Sequence, residues 1–283
     1  MNRRTFVMAV IAASSVVSCG DSSKVSMARA EAHVTFLAET ATKDVEEVRR
    51  GLPQGAALLA EQWRTHDTFE ADLKAVHLAL ESARRKVQDL RVAKSTFFAV
   101  AEPDGRILRN DQEQDRMSGK ALFASFPSLV TAKERYFETS GSMPEASGVK
   151  APRPDGQWIA GIPVSVENTT RAVYVTGWSW SSYAYRLEFA LRGQIRSELS
   201  SKREENEPLV YAFVVVGKTA YGAPVSPDVS RSRLGELDPL TKIKDAEVLK
   251  ERMEITGRVY GLAVKRVPAL GDNVGIAVLR SET

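Results

Sequence analysis

The feature that most restricts the fold of this chain is a change of hydrophobic period at residue 96, followed by one order of elements that occurs twice. Residues 96–101, Thr-Phe-Phe-Ala-Val-Ala, form a β-rich run, Glu102-Pro103-Asp104-Gly105 a strong turn, and 106–109 a return strand, which together predict a hairpin. Polar and helical stretches follow around Gly119 and over 127–137, then a Gly/Pro-rich loop at 141–156 and two further strands at 158–166 and 172–180. After a helical pattern at 181–203 the order returns. Strands at 209–216 and 219–223 flank a two-residue turn at Gly217-Lys218, a helix is expected at 238–253, and strands at 258–267 and 273–280 close the chain. The fold class expected is α+β: an N-terminal helical segment, then two antiparallel-sheet modules joined by a helix.

Residues 28–95 show no strand run. Val34, Leu37, Ala41, Val45 and Val48 recur at helical spacing before Gly51-Leu52-Pro53-Gln54-Gly55, which reads as an interruption: two helices in a hairpin, or one bent at Pro53. Phe69, Leu73, Val76, Leu80, Ala83, Val87 and Leu90 then step by four and three, with Asp67 or Thr68 as the expected cap. Such a seam fits a coiled-coil dimerisation stalk or a helix lying on the following domain, and its shortness favours the second. His33, His66 and His77 all fall here at spacings that do not bring them together, so solvated or capping roles are expected and no metal site.

The chain has 283 residues, 43% of them hydrophobic, which is enough for packed cores and argues against disorder. Its one cysteine ends an apolar leader too short to span a bilayer: Met1-Asn2-Arg3-Arg4, apolar residues 6–17, then Ser18-Cys19-Gly20. Val16-Val17-Ser18-Cys19 resembles a bacterial lipobox. That resemblance implies cleavage before Cys19 and attachment of a diacylglycerol to its sulfur, making membrane lipid a partner; residues 1–18 are then the signal peptide and 19–27 a lipidated tether. Asn2-Arg3-Arg4-Thr5-Phe6-Val7 also resembles a twin-arginine export signal, and both that route and the general secretory one lead out of the cytoplasm. With no other cysteine, the exported part forms no internal disulfide and must be held by packing, caps and hydrogen bonds. Without Arg3 and Arg4, 37 basic and 36 acidic residues remain, a balance that gives no field for nucleic acid.

The long helical segment, the strand and turn Ala101-Glu102-Pro103-Asp104-Gly105-Arg106-Ile107-Leu108, the Gly119 stretch, and Asp155-Gly156-Gln157-Trp158-Ile159-Ala160-Gly161-Ile162-Pro163-Val164 resemble an extracytoplasmic Cache domain, a relative of PAS. The resemblance covers 30–200 and, more weakly, 208–283. It implies two Cache-like modules, at 96–180 and 208–283, joined by a connecting helix within 181–207, and a small organic ligand between a central sheet and its helical or loop cover. Double-Cache receptors carry a membrane-spanning helix after the second module, whereas Arg280-Ser281-Glu282-Thr283 is not followed by one here, so a membrane-protein partner is expected to carry the signal.

The richest set of candidate ligand-binding residues is aromatic and cationic: Trp158, Tyr174, Trp178, Arg153 and Tyr136, with Trp180, Arg135 and Arg171 nearby. Aromatic faces beside an arginine hold carboxylates or amines by stacking and bidentate pairing, and the parity of Tyr174 and Trp178 puts them on one strand face. The same residues also fit a packed aromatic face. No phosphate-cradling glycine loop, zinc-binding histidine pair, haem motif or nucleophile elbow occurs, so no catalytic residue, metal or cofactor is assigned and no enzyme is expected. The readings left are a sensory lipoprotein and a structural or assembly lipoprotein of the cell envelope without a pocket.

Overall fold

The computed structural model describes residues 19–66, 68–147, 155–202, 206–244 and 247–282. The leader, the Asp67 cap and Arg153 lie outside the described residues. Helix α1 (Cys19–Thr65) is the backbone of the molecule. It is continuous through Pro53, contrary to the interruption expected there, because Pro53 faces solvent while Gly51 and Leu52 face the core. At Gly55 a Cβ would sit 2.7 Å from Tyr174 Cε1 and 2.8 Å from Leu90 Cδ1, so these glycines are where neighbours press onto the helix.

Beyond α1 come a 3₁₀ turn (Phe69–Ala71), α2 (Leu73–Lys86) and α3 (Gln88–Val92). The four-three seam therefore spans three elements, and Phe69, Val76, Leu80, Val87 and Leu90 pack within the same core as α1. Leu73 is left exposed. Asp72 caps α2 by accepting from the Lys74 and Ala75 amides, where Thr68 was expected.

The first sheet comprises β1 (Phe97–Ala101), β2 (Ile107–Asn110), β3 (Phe137–Gly141), β4 (Gln157–Val166) and β5 (Thr169–Ser179), in the order β2-β1-β5-β4-β3. Its cover includes α4 (Leu122–Ser125) and a 3₁₀ turn (Pro127–Lys133). Helix α5 (Trp180–Lys202) leads to the second sheet: β6 (Leu209–Val216), β7 (Thr219–Gly222), β8 (Val248–Ile255), β9 (Arg258–Arg266) and β10 (Val274–Ser281), ordered β7-β6-β10-β9-β8, with α6 (Asp228–Leu237) and α7 (Pro239–Lys242) on its far face. All strand pairings among the described residues are antiparallel, so the chain is an α+β protein with two modules of one topology.

Strand β8 replaces expected helix, and β3 starts at the last residue of a stretch expected to be helical. β3 pairs with β4 from Phe137↔Gly161 to Gly141↔Gln157, and β8 pairs with β9 from Val248↔Lys265 to Ile255↔Arg258. The β8 sequence is rich in helix formers, yet Lys250, Arg252 and Glu254 point to solvent while Leu249, Met253 and Ile255 join the core, a period of two that pairing enforces over local propensity. Its charged outer row also suits an edge strand.

Helix α1 crosses both sheets, meeting β9 and β10 with its N-terminal half and β4, β5, α2 and α3 further on. The approach is closest at Gly261, where a Cβ would lie 2.4 Å from the Met27 nitrogen, so any side chain there would push the helix off the sheet. One apolar stripe on α1, from Ala30 through Val45 to Trp63, thereby merges the helix-side faces of both modules into one core. Each module has a second core on its cover side.

Candidate functional site

Strand parity sends Trp158, Tyr174 and Trp178 to the helix side of the first sheet, where all three are fully buried. Trp158 and Trp178 lie opposite each other across β4 and β5 and stack with ring centroids 4.2 Å apart, and Trp178 stacks in turn on Tyr183 of α5 at 4.7 Å. Tyr174 stands apart from this column against Phe98, with centroids 6.1 Å apart. Two atoms in this packing, Trp178 Nε1 and the Tyr174 hydroxyl, have no partner among the described residues. Burial pushes the Tyr174 phenol well above its ordinary value. Tyr136 is separate again: half-buried beside β3, its hydroxyl donates to Glu138 Oε1 at 2.6 Å. Arg171 is exposed, and Arg135 sits 6.0 Å from the Phe137 ring.

The space between the first sheet and its cover, where the resemblance places a ligand, is filled with side chains. Phe97, Ala99, Ile159 and Val175 of the sheet meet Met117, Leu122, Phe126, Leu129 and Met143 of the cover in one continuous cluster. Gln157, buried at its end, accepts from the Met143 amide at 2.6 Å and donates to the Asp155 carbonyl at 2.9 Å, tying cover to sheet. Asp155 also accepts from the Ser181 amide in the first turn of α5, and burial raises its carboxyl.

One of the open concavities lies between the modules. A cleft of about 280 Å³ has Glu138, Ser140 and Trp158 on the first-module wall and Val216, Leu270 and Asn273 on the second. Arg49 of α1 clamps its rim: Nε and Nη2 donate to the two Glu138 carboxylate oxygens at 2.7 and 3.0 Å, and Nη2 reaches the Ala269 carbonyl at 3.4 Å. Of the sequence candidates, Trp158 lines this cleft, Tyr136 supports its rim through Glu138, and Tyr174 and Trp178 are not among its lining residues. The second-module wall, a 3₁₀ turn (Pro268–Leu270) and the residues after it, had no sequence signal beyond a Pro and a Gly in a short loop.

Buried polar groups join the modules elsewhere. Asp44 of α1 accepts from the Tyr183 hydroxyl at 2.8 Å, and burial raises its carboxyl to about 6 against that hydrogen bond. Glu188 of α5 is buried between Arg192 and the Ala212 amide, fastening the helix to β6. His33, expected in solvent or at a cap, is buried: Arg280 approaches its Nδ1 at 3.4 Å and Glu198 its Nε2 at 3.6 Å. Its pKa is lowered, by burial first and the neighbouring Arg280 second. The reason is that the ring lies where α1, α5 and β10 converge. Among the described residues no group of three or more His, Cys, Asp or Glu is placed to hold a metal, and no helix is long and apolar enough to cross a membrane.

No family model matches the chain, and no curated protein matches it in sequence. Solved structures do. A domain assigned to a sensory box/GGDEF family protein from Vibrio parahaemolyticus aligns with a TM-score of 0.57 and 8% identity over 93% of this chain and 98% of its own. Methyl-accepting chemotaxis protein X aligns at 0.55 with 12% identity, over 92% and 98%. The ligand-binding domain of the Pseudomonas aeruginosa PAO1 amino acid chemoreceptor PctB, in complex with L-Arg, aligns at 0.50 with 14% identity, over 89% and 95%. At these identities the likeness is one of fold: the long helix and two successive sheets are those of double Cache/PAS-like sensor domains.

Proposed function

We propose that this chain is a membrane-anchored, extracytoplasmic sensory lipoprotein that binds a small organic ligand and signals through a membrane-protein partner, without catalysis. The observation that carries this reading is the cleft between the modules, where α1, an edge strand of the first sheet and a turn of the second meet around open volume. A ligand there touches both modules at once, so occupancy changes their mutual restraint and, through Arg49, the helix they share. The sensor fold supports the reading, as does the L-Arg held by one structural neighbour. Cys19 lies within helix α1, so a lipid on that residue ties the membrane to the element that bears on both sheets.

The filled cover side of the first module favours a second reading, a structural or assembly lipoprotein of the envelope. Two experiments separate them. Mass spectrometry of the mature N-terminus is expected to show an acylated Cys19; a chain still beginning at Met1 in the membrane fraction contradicts the anchor. A thermal-shift screen with amino acids, small carboxylates and amines is expected to find a stabilising compound, since a ligand at a hundred times its Kd adds roughly 2.7 kcal/mol. Ser140→Trp, which fills the cleft from an exposed position, should abolish that shift. No shift with any class favours the structural reading.

A further inference from the structure

A second concavity, of about 330 Å³, lies on the outside of the first module where α2 passes over the end of β2, lined by Glu81, Arg84, Arg85, Arg91 and Asp111. Its charges are unequally compensated. Asp111 accepts from Arg84 Nη1 at 2.7 Å and from the Phe98 amide at 2.9 Å, and the Arg84 guanidinium lies 5.0 Å from the centre of the Phe98 ring, so this arginine is held flat and neutralised. Glu81 faces His77 at 3.7 Å, and the nearby Asp89 is engaged by Arg50 at 3.0 Å. Arg91 meets only the neutral Gln88, and Arg85 has no hydrogen-bond or ion-pair partner among the described residues. Two guanidinium groups without an ion-pair partner thus share one concavity with Glu81 and with a third arginine whose orientation is fixed.

A basic last turn complements a helix dipole without forming a concavity, so the dipole does not account for this arrangement. A buried polar group lies near these charges. The Tyr174 hydroxyl is fully buried, has no partner among the described residues, and lies within electrostatic reach of both Asp111 and Arg84. Arg186 lies close enough to Arg84 for their charges to oppose each other, and it donates to the Lys94 carbonyl at 2.6 Å rather than to an acid.

We propose that this concavity is a binding site for a small dianion, a dicarboxylate or a phosphate group, whose paired oxygens are gripped by Arg85 and Arg91 with Arg84 as the fixed wall. Guanidinium forks match such oxygens bidentately, and the volume suits a molecule of a few carbons. The site is separate from the inter-module cleft and does not depend on it.

The test is calorimetric titration of the full chain with succinate and with inorganic phosphate, each against sodium chloride at matched ionic strength. Saturable binding is expected for at least one probe, and the stronger of the two assigns carboxylate or phosphoryl chemistry. Arg85→Ala and Arg91→Ala should each weaken it several-fold and the double variant abolish it. Glu81→Gln, which removes a repelling carboxylate, should tighten it. Because Arg85 and Arg91 are exposed, the ligand-free melting temperature of these variants should stay at the wild-type value, and Ser140→Trp should leave the titration unaltered. Binding of neither probe above the chloride control, or binding that persists in the double variant, overturns the proposal.

Discussion

The two modules share a strand order and lean on the same helix, yet their helix-side faces are built differently. The second sheet presents small and β-branched aliphatic residues, Val210, Ala212, Val214, Ala263, Ile276 and Val278, which carry no polar atoms on their side chains. The first presents wide rings, Phe98, Trp158, Tyr174 and Trp178, and it is around these that most of the unpartnered buried polar atoms gather: Trp178 Nε1, Tyr174 OH, Ser95 Oγ and Asn110 Nδ2 on the first module and Glu47 Oε2 on α1, against Ser226 Oγ in the second. An unmet buried polar group is destabilising, so the second module reads as a pedestal and the first as the module that gives up stability at places a ligand or a movement can recover.

That contrast breaks most severely at the aromatic column. Trp178→Ala removes the ring between Trp158 and Tyr183 and should destabilise the chain by about 3–5 kcal/mol in urea unfolding. Next in size is Asp44. Its carboxyl is raised to about 6, so its contribution is fully present below pH 4 and is lost as pH rises through 6. Asp44→Asn keeps an acceptor for Tyr183 and should therefore gain up to about 3 kcal/mol over wild type at pH 8, a gain that vanishes near pH 4. His33 works in the opposite sense: with its pKa lowered, the stability it lends is present above 6.5 and falls away as pH drops. Melting curves of the wild type and of Asp44→Asn from pH 4 to 8 separate the two effects.

A smaller effect is expected where α1 touches the first module. Gly55→Ala drives a methyl against Tyr174 and Leu90 and should destabilise by about 1–3 kcal/mol. Smallest is the clamp across the cleft. Arg49 is nearly half exposed, so Arg49→Ala should lower stability by no more than about 1 kcal/mol, with the difference shrinking in high salt. Its larger consequence should be faster amide exchange in β3 and the 3₁₀ turn opposite.

The sequence made the repeat legible because hairpin turns such as Glu102-Pro103-Asp104-Gly105 are encoded locally: Gly105 takes φ +96° and Asp104 accepts from the Arg106 amide two residues on. The edge strands β2 and β7 were legible as hairpin returns, but β3 and β8 were not. β3 and β8 each pair on one side only; the partner of β3 is 24 residues away at Phe137↔Gly161, whereas β8 pairs across a two-residue turn but carries a sequence of helix formers. Pro53 misled for the same reason, since whether a proline ends a helix depends on which side of the helix it occupies. Among candidate residues, parity placed Tyr174 and Trp178 on one face without showing that α1 and α5 would cover it. The cleft was beyond reach, because one wall comes from residues 268–274 and the other from 138–158, joined by an arginine at 49.

The most direct test of the account is hydrogen–deuterium exchange of the full chain with and without the compound that gives the largest thermal shift in the amino-acid, carboxylate and amine screen. If the cleft between the modules is the sensory site, amides in residues 137–141 and 268–274 should gain protection together, and Ser140→Trp should remove both changes. Protection confined to one wall, or appearing only in the cover between residues 117 and 147, would contradict it.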